Sequence, residues 1–249
     1  MARFVGRTFL VTGGTSGIGL ATAKRLSDEG AKLLITGHSE DHIEKTRKAL
    51  PKAKVIENDA SAHYSAQALA DCVREFAPDG LDGAFLNAGF GRFKALGEID
   101  ATEIDDHFDL NLRAPLLQAK HLGPCMKDGG AILLVGSGTV GGGRADTLVY
   151  SATKAAVRQA ARSLATEFAP RGIRVNVVTP GATESRFHER GGMSEAEEKS
   201  YKEKVAKAVP LGRLGTPEDV AAVATFLLSD DAAYVTGSEY RVDGGLTMA

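Results

Sequence analysis

The sequence predicts an α/β domain built on a parallel β-sheet, and two patterns carry that expectation. Short apolar runs alternate with longer stretches of helical period, as repeated βαβ units require. A glycine-rich turn, Thr12-Gly-Gly-Thr-Ser-Gly-Ile-Gly19, joins the first run to the first helical stretch. The 249 residues suit one domain with helices on both faces of the sheet, and no repeat, linker or composition break divides them.

In chain order, strands are expected at Thr8–Thr12, Lys32–Thr36, Lys54–Glu57, Gly83–Asn87, Ala131–Gly136, Arg174–Thr179 and Glu239–Val242. Helices are expected near 17–29, 40–50, 63–77, 101–126, 150–169 and 217–229. Gly30, Gly80 and Gly172 fall where helices stop, and Thr216-Pro217 with Glu218 and Asp219 reads as a helix start. Aromatic residues are only 6% and Trp is absent, so aliphatic and alanine side chains must fill the core.

Bulk properties exclude several functions. A formal net charge of -2 without a Lys/Arg block gives no basis for a nucleic-acid or anionic-membrane partner. No stretch approaches the ~18 apolar residues of a membrane span, and Met1–Arg7 lacks a signal core. Cys72 and Cys125 make neither a disulfide framework nor a ligand spacing, so a reducing cytoplasm and no metal site are expected.

In the glycine turn, Gly13, Gly17 and Gly19 permit a tight bend and close backbone approach, and the following helix aims its dipole at an anion there. With Thr15, Ser16 and Ile18 between them, these residues suit a pyrophosphate. The spacing is G-x3-G-x-G, not the common dinucleotide fingerprint. An acid at the end of the second strand would bond the ribose 2′-hydroxyl of NAD. The residues there are Thr36-Gly37-His38-Ser39, with no carboxylate. Gly37 leaves room for a 2′-phosphate and His38 and Ser39 can donate to it, which favours NADP. NAD is the alternative, because the turn holds no Arg or Lys.

Tyr150 and Lys154 lie four apart on one helix face and can meet. A phenol titrates near ~10, and bringing it to neutrality takes about 4 kcal/mol, close to one positive charge ~4 Å away at intermediate dielectric. Lys154 is placed to supply that charge. Ser137 ends a strand thirteen residues earlier, where its hydroxyl can bond a substrate oxygen. Asn111 interrupts a helix, which indicates a kink or a polar task. Singly, each of these residues has an ordinary structural explanation. Their combination with the phosphate turn points to chemistry.

These residues, with Asp59, Asn87-Ala-Gly89, Pro180-Gly181 and Val235-Thr-Gly…Val242-Asp-Gly-Gly245, resemble the short-chain dehydrogenase/reductase family of the compact type, from end to end. The resemblance implies a Rossmann-type, doubly wound sheet of seven strands ordered 3-2-1-4-5-6-7. It implies Tyr150 as general acid/base, Ser137 as the group polarising the substrate oxygen, and Lys154 as the residue that lowers the Tyr pKa and grips the nicotinamide ribose. Asn111 would hold a water linking Lys154 to solvent. Asp59, with Ala60 beside it, would bond adenine, and Asn87, Ala88 and Gly89 would pack beside the adenine ribose. Pro180, Gly181, Thr183 and Ser185 would reach the nicotinamide and pyrophosphate.

The charged segment 183–209 follows a strand's C-terminal end and reads as a substrate flap. The helix 150–169 carries alanines around much of its circumference, which with the family's habit favours a homotetramer, or a dimer on the same helix pair. The expected substrate is a small carbonyl or alcohol of unspecified identity. An NAD-dependent alcohol or polyol dehydrogenase, a 3-oxoacyl-carrier-protein reductase and a non-catalytic dinucleotide-binding regulator are the alternatives. Sugar-nucleotide epimerisation is disfavoured, because relatives of that kind carry a larger C-terminal domain.

Overall fold

A computed structural model describes residues 2–184 and 203–248. Seven parallel strands form one sheet: β1 Thr8–Thr12, β2 Lys32–Gly37, β3 Lys54–Glu57, β4 Leu81–Leu86, β5 Met126–Val135, β6 Arg174–Pro180 and β7 Glu239–Val242. Their order is β3-β2-β1-β4-β5-β6-β7. The winding reverses between β1 and β4, where Thr12 pairs with Leu86, and the crevice outside the C-terminal ends of those strands is where open sheets of this kind hold ligands.

The helices are α1 Gly17–Asp28, α2 Glu40–Ala49, α3 Ser65–Phe76, α4 Ala101–Phe108, α5 Ala114–Leu122, α6 Leu148–Phe168 and α7 Pro217–Leu228. Both faces of the sheet are buried, and the period-2 alternation sorts side chains between them. Leu10, Leu34, Ile132 and Leu134 pack with Leu69, Val73, Leu122, Val157, Ala161 and Ala165. Phe9, Val11, Leu33, Ile35 and Leu133 pack on the opposite face with Ala23, Leu26, Ile43, Val220, Ala224 and Leu227. Alanine on the helices lets them lie close to a sheet of bulky aliphatics, which is how a chain without Trp closes its core.

The expected stops and starts hold. Gly30, Gly80 and Gly172 adopt φ of 95°, 93° and 65°, a region that favours glycine. Thr216 and Asp219 form a reciprocal capping box with Pro217 in the first turn of α7. Two elements differ from expectation. The helix expected over 101–126 is two helices separated by a π-turn at Asp109–Arg113, and it ends at Leu122 ahead of Pro124. β5 begins at Met126, not Ala131, because a bulge opposite Leu81–Gly83 carries the chain through Gly129 at φ 77° before pairing resumes.

Candidate active site

The C-terminal edge of the sheet gathers most of the residues singled out above. After β1 the chain turns through Gly13 (φ 60°) and Gly17 (φ 50°), which the left-handed region reserves for glycine. Gly19 is required for a different reason. A Cβ there would lie 2.4 Å from the Gly13 carbonyl oxygen and 2.5 Å from Nδ2 of Asn87. Ser16, the N-cap residue, gives α1 no side-chain cap, so the first-turn amides are not satisfied by it. A bare helix N-terminus behind a glycine cradle fits a pyrophosphate.

The cradle is braced from two strands. The Gly14 amide donates to the Thr36 carbonyl of β2 at 2.9 Å. Nδ2 of Asn87 donates to the carbonyls of Thr12 and Gly13, and the amides of Asn87 and Ala88 donate to Thr12 Oγ1 at 3.0 and 3.1 Å. Asn87 therefore serves the turn itself, and Thr12 joins the site as its anchor.

On the adenosine side, Gly37 has a packing role. Gly37 is buried, and a Cβ on it would stand 2.5 Å from the Thr15 side chain. The missing side chain makes room for Thr15. His38 and Ser39 are exposed at the strand end, and Ala60 is buried next to exposed Asp59. The Ser61 hydroxyl and amide donate to Asp59 Oδ1 at 2.6 and 3.0 Å. That side-chain bond holds the Asp59 carboxyl below its usual range, with a smaller contribution from the neighbouring His38.

Ser137, Tyr150, Lys154 and Asn111 are all buried and close together. The Ser137 hydroxyl and the Tyr150 phenol share a hydrogen bond. Ser137 Oγ accepts from the Thr139 hydroxyl at 3.0 Å and from its amide at 3.3 Å. Thr139, which the sequence reading passed over, thus fixes the serine. Lys154 Nζ donates to the Val135 carbonyl at 3.2 Å and lies 5.8 Å from the centre of the Tyr150 ring.

Burial dominates the electrostatics of both groups. Burial pushes the Tyr150 phenol up to about 12, against the opposing Ser137 bond, and burial brings the Lys154 ammonium down to about 8. The ammonium is drawn to a backbone carbonyl at a distance where its field does not offset desolvation of the phenol.

Asn111 sits in the π-turn, 1% exposed. Its Nδ2 donates to the Phe90 carbonyl at 2.9 Å, and its Oδ1 accepts from the Phe90 amide at 3.0 Å. One turn back, His107 is fully buried and Glu103 is 2% exposed. His107 Nε2 accepts from the Arg92 amide at 3.2 Å, and its Nδ1 meets the Glu103 carbonyl oxygen at 2.9 Å. Nδ1 also lies 3.1 Å from Glu103 Oε1. Glu103 Oε2 accepts from Arg92 at 2.7 Å and pairs with Lys94 at 3.1 Å. Burial pushes the Glu103 carboxyl up, but the Arg92 and Lys94 bonds outweigh it and leave the group below its usual range. The sequence reading missed Glu103 and His107, although their spacing of four from each other and from Asn111 signals one shared face.

Around Tyr150, the Phe93 ring packs edge-on at 5.7 Å between centroids, and the Arg144 guanidinium lies over Phe93 at 5.5 Å. Beyond β6, Gly181 passes so close to Asp243 that a Cβ would meet its Cβ at 2.6 Å. Thr183 is buried and donates from Oγ1 to the Gly181 carbonyl at 3.2 Å, and it bridges to Gly215. Ser185 and most of the expected flap, 185–202, lie outside the described residues.

A family model described as enoyl-(acyl carrier protein) reductase matches residues 13–247. The chain is 35% identical over 257 residues to levodione reductase of Leifsonia aquatica, covering 99% of this chain and 96% of that protein. A short-chain dehydrogenase/reductase of Brucella melitensis, described as a glucose/ribitol dehydrogenase, superposes with a TM-score of 0.92 at 30% identity, over 99% of each chain. A blue fluorescent protein from a metagenomic library, solved with NADPH, gives a TM-score of 0.89 at 28% identity, over 98% of this chain and 99% of that one. The chain belongs to the short-chain dehydrogenase/reductase family, oxidoreductases that act on CH–OH and C=O groups.

Proposed function

We propose that this protein moves a hydride between NADP(H) and the carbonyl or secondary-alcohol carbon of a small molecule, with Tyr150 as general acid/base. The observation that carries the reading is the hydroxyl chain from half-buried Thr139 to buried Ser137 and Tyr150, set beside the Lys154 ammonium at the crevice edge that also holds the glycine cradle. Bound coenzyme supplies the hydride donor or acceptor and, when oxidised, a positive charge beside the phenol.

Ser137, held by Thr139, offers a donor to the substrate oxygen as negative charge develops on it. A phenol pushed up to about 12 is neutral at pH 7 and able to give its proton to that oxygen. The same group serves either direction, giving its proton in carbonyl reduction and taking one in alcohol oxidation. The Asn111 carboxamide is committed to Phe90, so its share in any proton relay falls to its main chain in the widened π-turn.

NADP is favoured by the exposed His38 and Ser39 at a strand end without a carboxylate, and by a structural relative solved with NADPH. NAD is the competing coenzyme, since no Arg or Lys stands in the turn. Small carbonyl substrates are favoured by the similarity to levodione reductase. The segment 183–209 serves as the substrate flap in this reading. Ala152, Ala155, Ala156 and Ala160 are exposed or half-buried on α6, which supports subunit packing as a homotetramer or dimer, and two free cysteines suit the cytoplasm.

Tyr150→Phe and Ser137→Ala test the assignment. Each should lower kcat by about 10²–10⁴-fold, with coenzyme affinity within about twofold of the parent by titration calorimetry. Undiminished turnover in Tyr150→Phe defeats it.

A further inference from the structure

We infer that His107 and Glu103 are positioning residues for the substrate: they fix the wall formed by residues 90–94 against Tyr150. The inference rests on the reading of Tyr150 as the acid/base and names residues beyond the catalytic set.

Glu103, His107 and Asn111 follow one another at four-residue intervals on α4 and the π-turn, and all three are buried. A buried helix face normally carries apolar side chains, and burying these groups is costly unless their bonds are made. Here most of the bonds run to one short stretch after β4, the others being His107 Nδ1 to the Glu103 carbonyl within α4 and Asn111 Nδ2 to Thr153 Oγ1 at 3.4 Å. Asn111 takes the amide and carbonyl of Phe90, His107 takes the amide of Arg92, and Glu103 takes the Arg92 guanidinium and the Lys94 ammonium. Three consecutive anchors thus define a strip of chain with little regular secondary structure of its own.

That strip borders the reacting phenol. His107 stacks on Phe90 at 4.4 Å and meets the Tyr150 ring edge-on at 6.3 Å, while Phe93 packs edge-on against the same ring at 5.7 Å. Releasing the Arg92 amide frees the wall where a substrate must lie to reach both Ser137 and Tyr150. The dinucleotide cradle, built on β1, α1 and Asn87, takes no bond from Glu103 or His107. Their loss should therefore act on the carbonyl substrate and spare the coenzyme.

Three variants separate this from a general packing role. His107→Phe keeps a ring against Phe90 but removes both hydrogen bonds. His107→Gln keeps an acceptor for the Arg92 amide, and Glu103→Gln keeps volume while losing the charge that holds Arg92 and Lys94. We expect His107→Phe to raise KM for the carbonyl substrate about tenfold with a smaller fall in kcat, and the coenzyme dissociation constant to stay within about twofold. His107→Gln should regain most of that loss. If His107→Phe does not fold, Glu103→Gln carries the test, with a rise in KM of a few fold. Hydrogen exchange resolved at residues 90–94 gives a second readout, the Arg92 amide exchanging at least about tenfold faster in His107→Phe while β4 is unchanged.

Unaltered kinetics and exchange in these variants overturn the inference. So does a loss that falls equally on substrate and coenzyme and that Gln does not repair. A parent protein without activity on any carbonyl or alcohol would instead sink the hydride-transfer reading, and the exchange measurement would still decide whether the wall is held as described.

Discussion

Gly19 and Gly13 are in backbone contact across the turn that follows β1: a Cβ on Gly19 would stand 2.4 Å from the Gly13 carbonyl oxygen. No side-chain rotation relieves such an overlap, because both partners are backbone. Gly19→Ala should therefore open the turn and weaken binding of the nicotinamide coenzyme by more than about tenfold, leaving the sheet folded. Asn87→Ala should weaken it comparably, since two bonds to the same turn are lost at roughly 1 kcal/mol each. Calorimetric titration of coenzyme, alongside circular dichroism, checks both. Parental affinity in Gly19→Ala would show that the cradle is not the dinucleotide site.

A second prediction concerns the coenzyme's 2′-substituent. His38 is exposed at the end of β2, and the turn it belongs to lacks the carboxylate that would bond a ribose hydroxyl. His38→Asp places such a carboxylate there. Repulsion of a 2′-phosphate across a solvated contact is worth about 1 kcal/mol or somewhat more, so kcat/KM with NADP should fall about tenfold. The value with NAD should hold or rise. Steady-state kinetics with both coenzymes measures the ratio, and an unchanged ratio would remove His38 from the 2′-phosphate site.

Much of this was legible in the sequence, because the signals were local. A strand, a glycine turn and a helix are neighbours in the chain, and so are Tyr150 and Lys154. Turns at Gly30, Gly80 and Gly172 follow from backbone conformations that other residues seldom adopt. What escaped were contacts between distant segments. The early start of β5 depends on a bulge paired against Leu81–Gly83, which no local pattern encodes. Gly37 reads as empty space until Thr15 is seen to fill it. The His107 and Glu103 bonds run to Arg92 and Lys94, nine to fifteen residues back and in irregular chain. The pKa of Tyr150 eluded sequence reasoning for a related cause. Spacing shows that an ammonium can approach, whereas burial, the larger effect, depends on the whole fold.

The same burial makes Lys154 a measurable cost to stability. Its ammonium falls from 10.5 to about 8 because it is desolvated, while it donates to the Val135 carbonyl. Between about pH 8 and 10.5 the unfolded chain keeps the proton that the folded chain has released, so this group's contribution makes stability rise with pH in that window. Below pH 8 its full penalty applies, roughly 3 kcal/mol at most. Lys154→Met, of similar shape and without charge, should therefore abolish turnover yet raise unfolding stability at pH 7 by about 1–3 kcal/mol, the lost bond to Val135 taking back part of the gain. The difference between the two proteins should shrink through pH 8–10 and vanish near 10.5. Tyr150, raised from 10.0 to about 12, makes stability fall between those values in both proteins, so the difference curve isolates the lysine. Urea unfolding at intervals from pH 7 to 10.5 provides that curve. A variant less stable at pH 7, or a difference that does not change with pH, would mean that Lys154 is not held in the buried, destabilised state that the structure describes.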